Sequence, residues 1–251
     1  HGGEVWCQVD EETNIAYFRL LLPTTQPRRV RQVQIIQNSR PEYYDFDLFH
    51  QPGQTPEIDQ CFLTELTHTV FDTETTGMNP SAGDEIISIS AVRIVNGRVL
   101  RQEVFDQLVD PKRPVPKSAI EVHGISPEMV NGQPTIEQVL PVFYKFAENT
   151  VLVAHNAAFD MRLLQLKENK TGVKFSNPVL DTLLLSAVTH PNQDNHSLEA
   201  IAERLGINII GRHTSLGDAI LTGEVFVKLV PVLADKGIVT LADARNAAEE
   251  T

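Results

Sequence analysis

The stretch Val70-Phe71-Asp72-Thr73-Glu74-Thr75-Thr76-Gly77 decides how the chain is read. A short apolar run ends in two carboxylates spaced two apart, followed by small residues and a glycine. Side chains two apart on a β-strand point to the same face, so Asp72 and Glu74 would project side by side. Like charges held that close repel, and a cation between them relieves the repulsion. A lone Asp-x-Glu pair reads as a solvated strand end. Here Val70 and Phe71 suggest a buried strand emerging at its carboxyl end, the edge at which open α/β sheets place their ligands.

The flanking sequence continues an α/β pattern. Residues 85–95 and 99–105 read as strands joined by Asn96-Gly97, the strongest short-range hairpin signal. Ile136, Val139, Leu140, Phe143 and Phe146 recur at helical spacing. Val151-Leu152-Val153-Ala154 is a buried-strand candidate. It runs through His155-Asn156-Ala157-Ala158-Phe159-Asp160 into a helix carrying Met161, Leu163, Leu164 and Leu166. Residues 179–182 read as a last short strand. Helices follow around Ser197–Leu205, with Ser197 as N-cap, and Asp218–Leu233. Three antiparallel strands followed by strand–helix alternation imply an α/β sandwich with a mixed sheet. No internal repeat or low-complexity tract interrupts it.

This main domain is expected to span residues 65–251. Residues 1–23 read as a β-hairpin, with Val5–Val9 and Ile15–Leu22 flanking a polar turn. Residues 24–64 read as a linker or strap. Within it, Arg28-Arg29-Val30-Arg31 could touch nucleic acid or simply be solvated. The aromatic run Tyr43-Tyr44-Asp45-Phe46-Asp47-Leu48-Phe49 is too apolar for a free linker and is expected to strap onto the following domain. The opening His1-Gly2-Gly3-Glu4-Val5-Trp6 and the closing Phe18-Arg19-Leu20-Leu21-Leu22-Pro23 resemble the last hairpin of a sensor histidine kinase ATP-binding domain. That family's nucleotide-binding boxes are absent, so no kinase activity follows. A hairpin that pads the main domain is the other reading. The start at His1, without methionine, implies a piece of a longer protein, with an upstream sensor domain as one candidate neighbour.

Composition sets outer bounds. The hydrophobic fraction of 41% and charged fraction of 22% are those of a folded globular chain. No apolar run approaches the roughly 20 residues that span a bilayer, so no membrane contact is expected. Cys7 and Cys61 form no metal-ligand spacing, and a reduced, cytoplasmic setting is the default. A formal net charge of -12 argues against nucleic-acid binding by broad phosphate neutralisation. Any polyanionic substrate must be met by bound metal and a few local basic groups. Distributive action on short ends fits that better than coating of long strands.

Three acidic signals stand at the ends of the expected elements: Asp72 with Glu74, Asp160 at a strand-to-helix junction, and Asp218 five residues after His213. Singly, Asp160 and Asp218 read as helix caps that complement the dipole, and His213 as a loop residue. Together they resemble the DEDDh family of 3′–5′ exonucleases, which includes the polymerase III epsilon-subunit-like proofreading exonucleases. The resemblance runs from about Thr69 to Leu229. It also takes in Gly83-Asp84-Glu85-Ile86-Ile87, Val122-His123-Gly124-Ile125 and Leu180-Asp181-Thr182, and its last motif is the histidine form.

The resemblance implies a ribonuclease H-like mixed five-stranded sheet flanked by helices. It further implies hydrolysis of phosphodiester bonds at 3′ ends, with release of nucleoside 5′-monophosphates. Such hydrolysis is served by two divalent ions roughly 3.5–4 Å apart, and Mg²⁺ or Mn²⁺ is met by oxygen ligands. By resemblance, Asp72, Glu74 and Asp218 would hold the ion that activates water, and Asp72 with Asp160 would take part at the second. His213 would be the general base, since imidazole changes charge near neutral pH. Thr75 would meet the terminal 3′-hydroxyl through its backbone, and Met78 and Ile125 would lie near the terminal base. Asn156 and His123 look like groups on the substrate side. Single-stranded DNA is the leading substrate. RNA 3′ ends are the alternative, because 2′-hydroxyl contacts are not legible here. A polymerase is a candidate partner. A regulatory module of a larger signalling protein is the reading from a different class.

Overall fold

The computed structural model describes β1 (Glu4–Asp10) and β2 (Ile15–Leu21) as backbone, and residues 55–251 with their side chains. The two strands pair antiparallel, from Glu4 opposite Leu21 to Asp10 opposite Ile15. This hairpin belongs to one compact unit and residues 55–251 to a second. The arginine cluster at 28–31 and the aromatic run at 43–49 lie outside the described residues.

The second unit begins upstream of Glu65. Helix α1 (Pro56–Asp59) opens it, and Leu63, 2% exposed, is already part of the core. The Leu63 amide donates to the Val239 carbonyl at 2.9 Å, and the Leu241 amide to the Cys61 carbonyl at 3.1 Å. The end of the expected strap is therefore folded into the body.

A five-stranded sheet forms the centre. Its strands are β3 (His68–Thr75), β4 (Ile86–Val95), β5 (Arg98–Leu108), β6 (Val151–Ala154) and β7 (Val179–Asp181), in spatial order β5-β4-β3-β6-β7. The first three are antiparallel, and β6 and β7 run parallel to β3. Asn96 and Gly97 take φ of 50° and 68°, as a tight turn between β4 and β5 requires.

Every residue of β3 is buried because both sheet faces are covered. Phe71 packs into one cluster with α4 (Ile136–Ala147) and α5 (Ala157–Gln165), through Leu140, Phe143 and Phe159. Val70 packs into the opposite cluster with α7 (Thr182–Thr189), α8 (Leu198–Arg204), α9 (Ser215–Ala234) and α10 (Leu241–Glu249). The short helices α2 (Lys117–His123), α3 (Pro127–Val130) and α6 (Glu168–Thr171) and a 3-10 turn (Pro80–Ala82) complete the described elements. A smaller cluster of Ile87, Val115, Ile125 and Val130 supports α2 and α3. No helix among the described residues is long and apolar enough to cross a membrane.

Element boundaries differ in places from the sequence reading: the strand read over 99–105 runs from Arg98 to Leu108. β7 stops at Asp181, whose carboxylate caps the Leu183 amide and starts α7 at Thr182. α9 starts at Ser215 rather than Asp218, because Thr214 caps the Gly217 amide one turn earlier.

Candidate active site

Alternation along β3 sends Asp72 and Glu74 to the α9 side of the sheet, where Val70 also points. Asp218, the fourth residue of α9, meets them there. Oxygen atoms of these three buried carboxylates lie within 4.8 Å of one another. The ladder between β3 and β4 shifts register at Glu74/Thr75, an irregularity that re-aims side chains at a strand end.

The N-terminus of α9 is fastened to the sheet by hydroxyls. Ser88 and Ser90 on β4 pair with Glu74 and Asp72 across the ladder and so share their face. The Ser215 hydroxyl lies 2.7 Å from both serine hydroxyls, and Ser90 donates to Asp106 at 2.7 Å. Asp218 sits one turn further along the same helix. The alternation Ser88-Ile89-Ser90 inside an apolar strand was the sequence signal for this anchor, and the sequence reading passed over it.

Asp160 reaches the same strand from the other face. It is the fourth residue of α5, fully buried, and its Oδ1 accepts from the Thr73 amide at 3.1 Å and the Thr73 hydroxyl at 2.5 Å. It is not one of the three clustered carboxylates. Asn156 precedes α5 with a left-handed φ of 61°, a conformation asparagine tolerates better than most residues. Asp181 fixes that turn by accepting from the amides of Asn156 at 2.9 Å, Ala157 at 2.8 Å and Leu183 at 2.9 Å. Burial pushes the Asp181 carboxyl up to about 6, with the three amides pulling the other way. One carboxylate thus ties the start of α5 to the start of α7.

The remaining candidates lie around this centre. His123 ends α2 and is buried; its Nδ1 accepts from the Ile125 amide at 2.9 Å. Burial lowers its pKa, opposed by the nearby Thr75 backbone, which places the ring against the end of β3. Thr75 is buried and donates its hydroxyl to the Gly77 carbonyl at 2.6 Å, Ile125 is buried, and Met78 is exposed. His213 is exposed, with a left-handed φ of 61°, in the turn before α9, outside the carboxylate cluster. Its neighbour Arg212 does reach the cluster. The Arg212 guanidinium lies 2.5 Å from Asp218 Oδ1, and its Nε donates to Glu199 at 2.9 Å. No motif spacing singled out Arg212, and only its place beside His213 could have done so.

A set of buried carboxylate oxygens is the donor chemistry of hard divalent cations. Three like charges within 4.8 Å also need positive charge to persist ionised. The residues therefore fit such an ion.

Solved structures share this architecture. Exonuclease X, in complex with 5′ overhanging duplex DNA, aligns with a TM-score of 0.58 at 24% identity, over 72% of this chain and 99% of that one. The nuclease domain of 3′hExo, a DEDDh family member bound to rAMP, aligns at 0.59 and 19% identity, over 70% and 96% of the two chains. These likenesses define the class of fold, the ribonuclease H-like fold of DEDDh exonucleases. The sequence pattern described as exonuclease (RNase T type) matches residues 69–226. A DNA polymerase III subunit epsilon-like protein of Rhodobacter capsulatus is 46% identical over 96% of this chain. A PolC-type DNA polymerase III of Caldanaerobacter subterraneus is 38% identical over 70% of it. The chain belongs to the exonuclease family (RNase T type) and is similar to a polymerase III epsilon-like protein. It spans 34% of the length of the first relative and 12% of the second.

Proposed function

We propose that this domain hydrolyses the terminal phosphodiester bond at 3′ ends of single-stranded DNA and releases nucleoside 5′-monophosphates. The convergence of Asp72, Glu74 and Asp218 from two separate elements carries this reading. These three residues would hold one divalent ion, Mg²⁺ or Mn²⁺, and Asp72 with Asp160 would take part at a second. When bound, the ions supply Lewis acidity, which acidifies water and offsets charge on the scissile phosphate.

The protein's own groups do the rest. Buried on rigid elements, the carboxylates hold their arrangement without reorganising during the reaction. Thr75, at the end of β3, would meet the 3′-hydroxyl through its backbone, with the His123 ring behind it. Ile125 and the exposed Met78 would bracket the terminal base, and Asn156 would face the substrate from the α5 side. His213 would take the proton of the attacking water on a ring nitrogen, which requires its turn to swing inward from its exposed position. The polymerase III names of the curated relatives favour DNA over RNA and make a polymerase the expected partner.

Matched 5′-labelled DNA and RNA strands, incubated with Mg²⁺, Mn²⁺ or EDTA, test this reading. A metal-dependent ladder shortening from the 3′ end, faster on DNA and lost in Asp72→Ala and His213→Ala, is expected. Asp72→Ala protein that degrades DNA at the wild-type rate would overturn the assignment. Faster loss of RNA would move the substrate to RNA ends.

A further inference from the structure

We propose that Arg212 is a built-in counter-cation of the carboxylate site, one that must release Asp218 when a divalent ion binds. The inference rests on the metal reading above and goes beyond it. Arg212 lies on the turn that leads into α9, and its guanidinium bridges two acids. It holds Glu199 of α8 through Nε at 2.9 Å, and Asp218 Oδ1 through a second nitrogen at 2.5 Å. Asp218 is one of the three carboxylates whose oxygens lie within 4.8 Å of one another, so the guanidinium sits where added positive charge relieves their repulsion most.

The same contact sets up competition. An oxygen held in an ion pair by Arg212 is not fully available to a cation. Glu199 gives the guanidinium a second anchor, so it can leave Asp218 without losing all of its pairing. Arg212 also adjoins His213, which is exposed with a φ of 61°. Pairing with Asp218 therefore holds this turn in the conformation that keeps His213 outside the cluster. Exchange of Arg212 for a metal at Asp218 would free the turn that His213 must use.

Isothermal titration with Mn²⁺ alone, with no nucleic acid, reads the competition directly. Arg212→Gln is expected to bind Mn²⁺ at least about tenfold more tightly than wild type, the low end of the coupling between close charges. In EDTA the same variant should melt at lower temperature than wild type, because Asp218 then lacks its cation. Its gain in melting temperature on adding Mn²⁺ should be the larger of the two. Arg101→Gln removes an equal charge from an exposed pair with Glu224, and about twofold or less is expected there. If Arg212→Gln folds poorly, Arg212→Lys serves: an ammonium lacks the planar fork that spans both acids, and tightening between wild type and Arg212→Gln is expected. Unchanged or weaker Mn²⁺ binding in the Arg212 variants, beside normal binding by wild type, would overturn this proposal and leave the metal reading intact. Tightening equal to that of Arg101→Gln would also overturn it. Absence of Mn²⁺ binding by wild type would overturn the metal reading, and this proposal with it.

Discussion

His68 shows how one side chain can set the acid limit of this fold. It opens β3, is 1% exposed, and packs on the Phe226 ring with centroids 4.8 Å apart. Neither ring nitrogen has a hydrogen-bond partner among the described residues. Burial without a partner disfavours the charged ring and lowers its pKa from 6.5 to about 4. Below 6.5 the unfolded chain takes up a proton that the folded chain refuses, so the native state is favoured fully only above that value. Stability is then lost as pH falls from 6.5 towards 4. A shift of this size corresponds to about 3 kcal/mol. Urea unfolding of wild type and His68→Leu, followed from pH 7.5 to pH 4, should show the wild type losing about 3 kcal/mol more than the variant. Parallel curves for the two proteins would show that His68 is not the group responsible.

At the scale of elements, the turn into α9 is fixed by a close approach of backbone to backbone. A Cβ on Gly217 would lie 1.9 Å from the Gly211 carbonyl oxygen and 2.6 Å from its carbon. Thr214 closes the same turn by donating to that oxygen at 2.7 Å and capping the Gly217 amide at 3.1 Å. Gly217→Ala should displace the turn that carries Arg212 and His213, cost about 1–2 kcal/mol through the lost cap, and lower kcat at least about tenfold through misplacement. Gly223 is the internal control on the same helix, since its added methyl would meet Val99, Val70 and Val92 side chains at an ordinary 3.5–3.6 Å. Gly223→Ala should stabilise by up to about 1 kcal/mol through helix propensity. Thermal melts and initial rates on both variants check the contrast, and a Gly217→Ala protein with wild-type rate and melting would refute it. The turn also marks where the sequence stopped being legible. The strands and α4, α5, α8 and α9 follow from apolar periodicity, and the β4–β5 turn from Asn96-Gly97. Asp72 and Glu74 were readable as neighbours because strand alternation is local. That Asp218 joins them depends on how α9 crosses the sheet, which is set by the hydroxyls of Ser88 and Ser90 against that of Ser215, more than a hundred residues away in sequence. The exposed position of His213 and the Arg212 pair with Asp218 arise from the same tertiary contacts. α10 escaped notice because its buried face, Leu241, Ala244, Arg245 and Ala248, carries one large apolar side chain among alanines and an arginine.

For the whole molecule the governing quantity is a net charge of -12, which under the proposed function faces a polyanion. A protein that coats single strands through several lysines and arginines loses affinity steeply with salt, with a logarithmic slope of about -0.7 per phosphate neutralised. An acidic domain that grips only the last nucleotides through bound metal and backbone has few such contacts, and added salt screens the repulsion between its own field and the strand. Raising KCl from 50 to 200 mM at fixed Mg²⁺ should therefore change kcat/KM on single-stranded DNA by less than about tenfold, against the roughly thousandfold or greater loss of a protein making many phosphate contacts. The same weak grip would make the enzyme distributive: with substrate in excess, all strands should shorten together rather than a few vanishing completely. A steep salt slope with processive loss would refute this view and direct attention to Arg28, Arg29 and Arg31. Glutamine at those three positions in the full chain would then abolish the slope if they supply the missing phosphate contacts. An unchanged slope would place those contacts on the exonuclease domain itself.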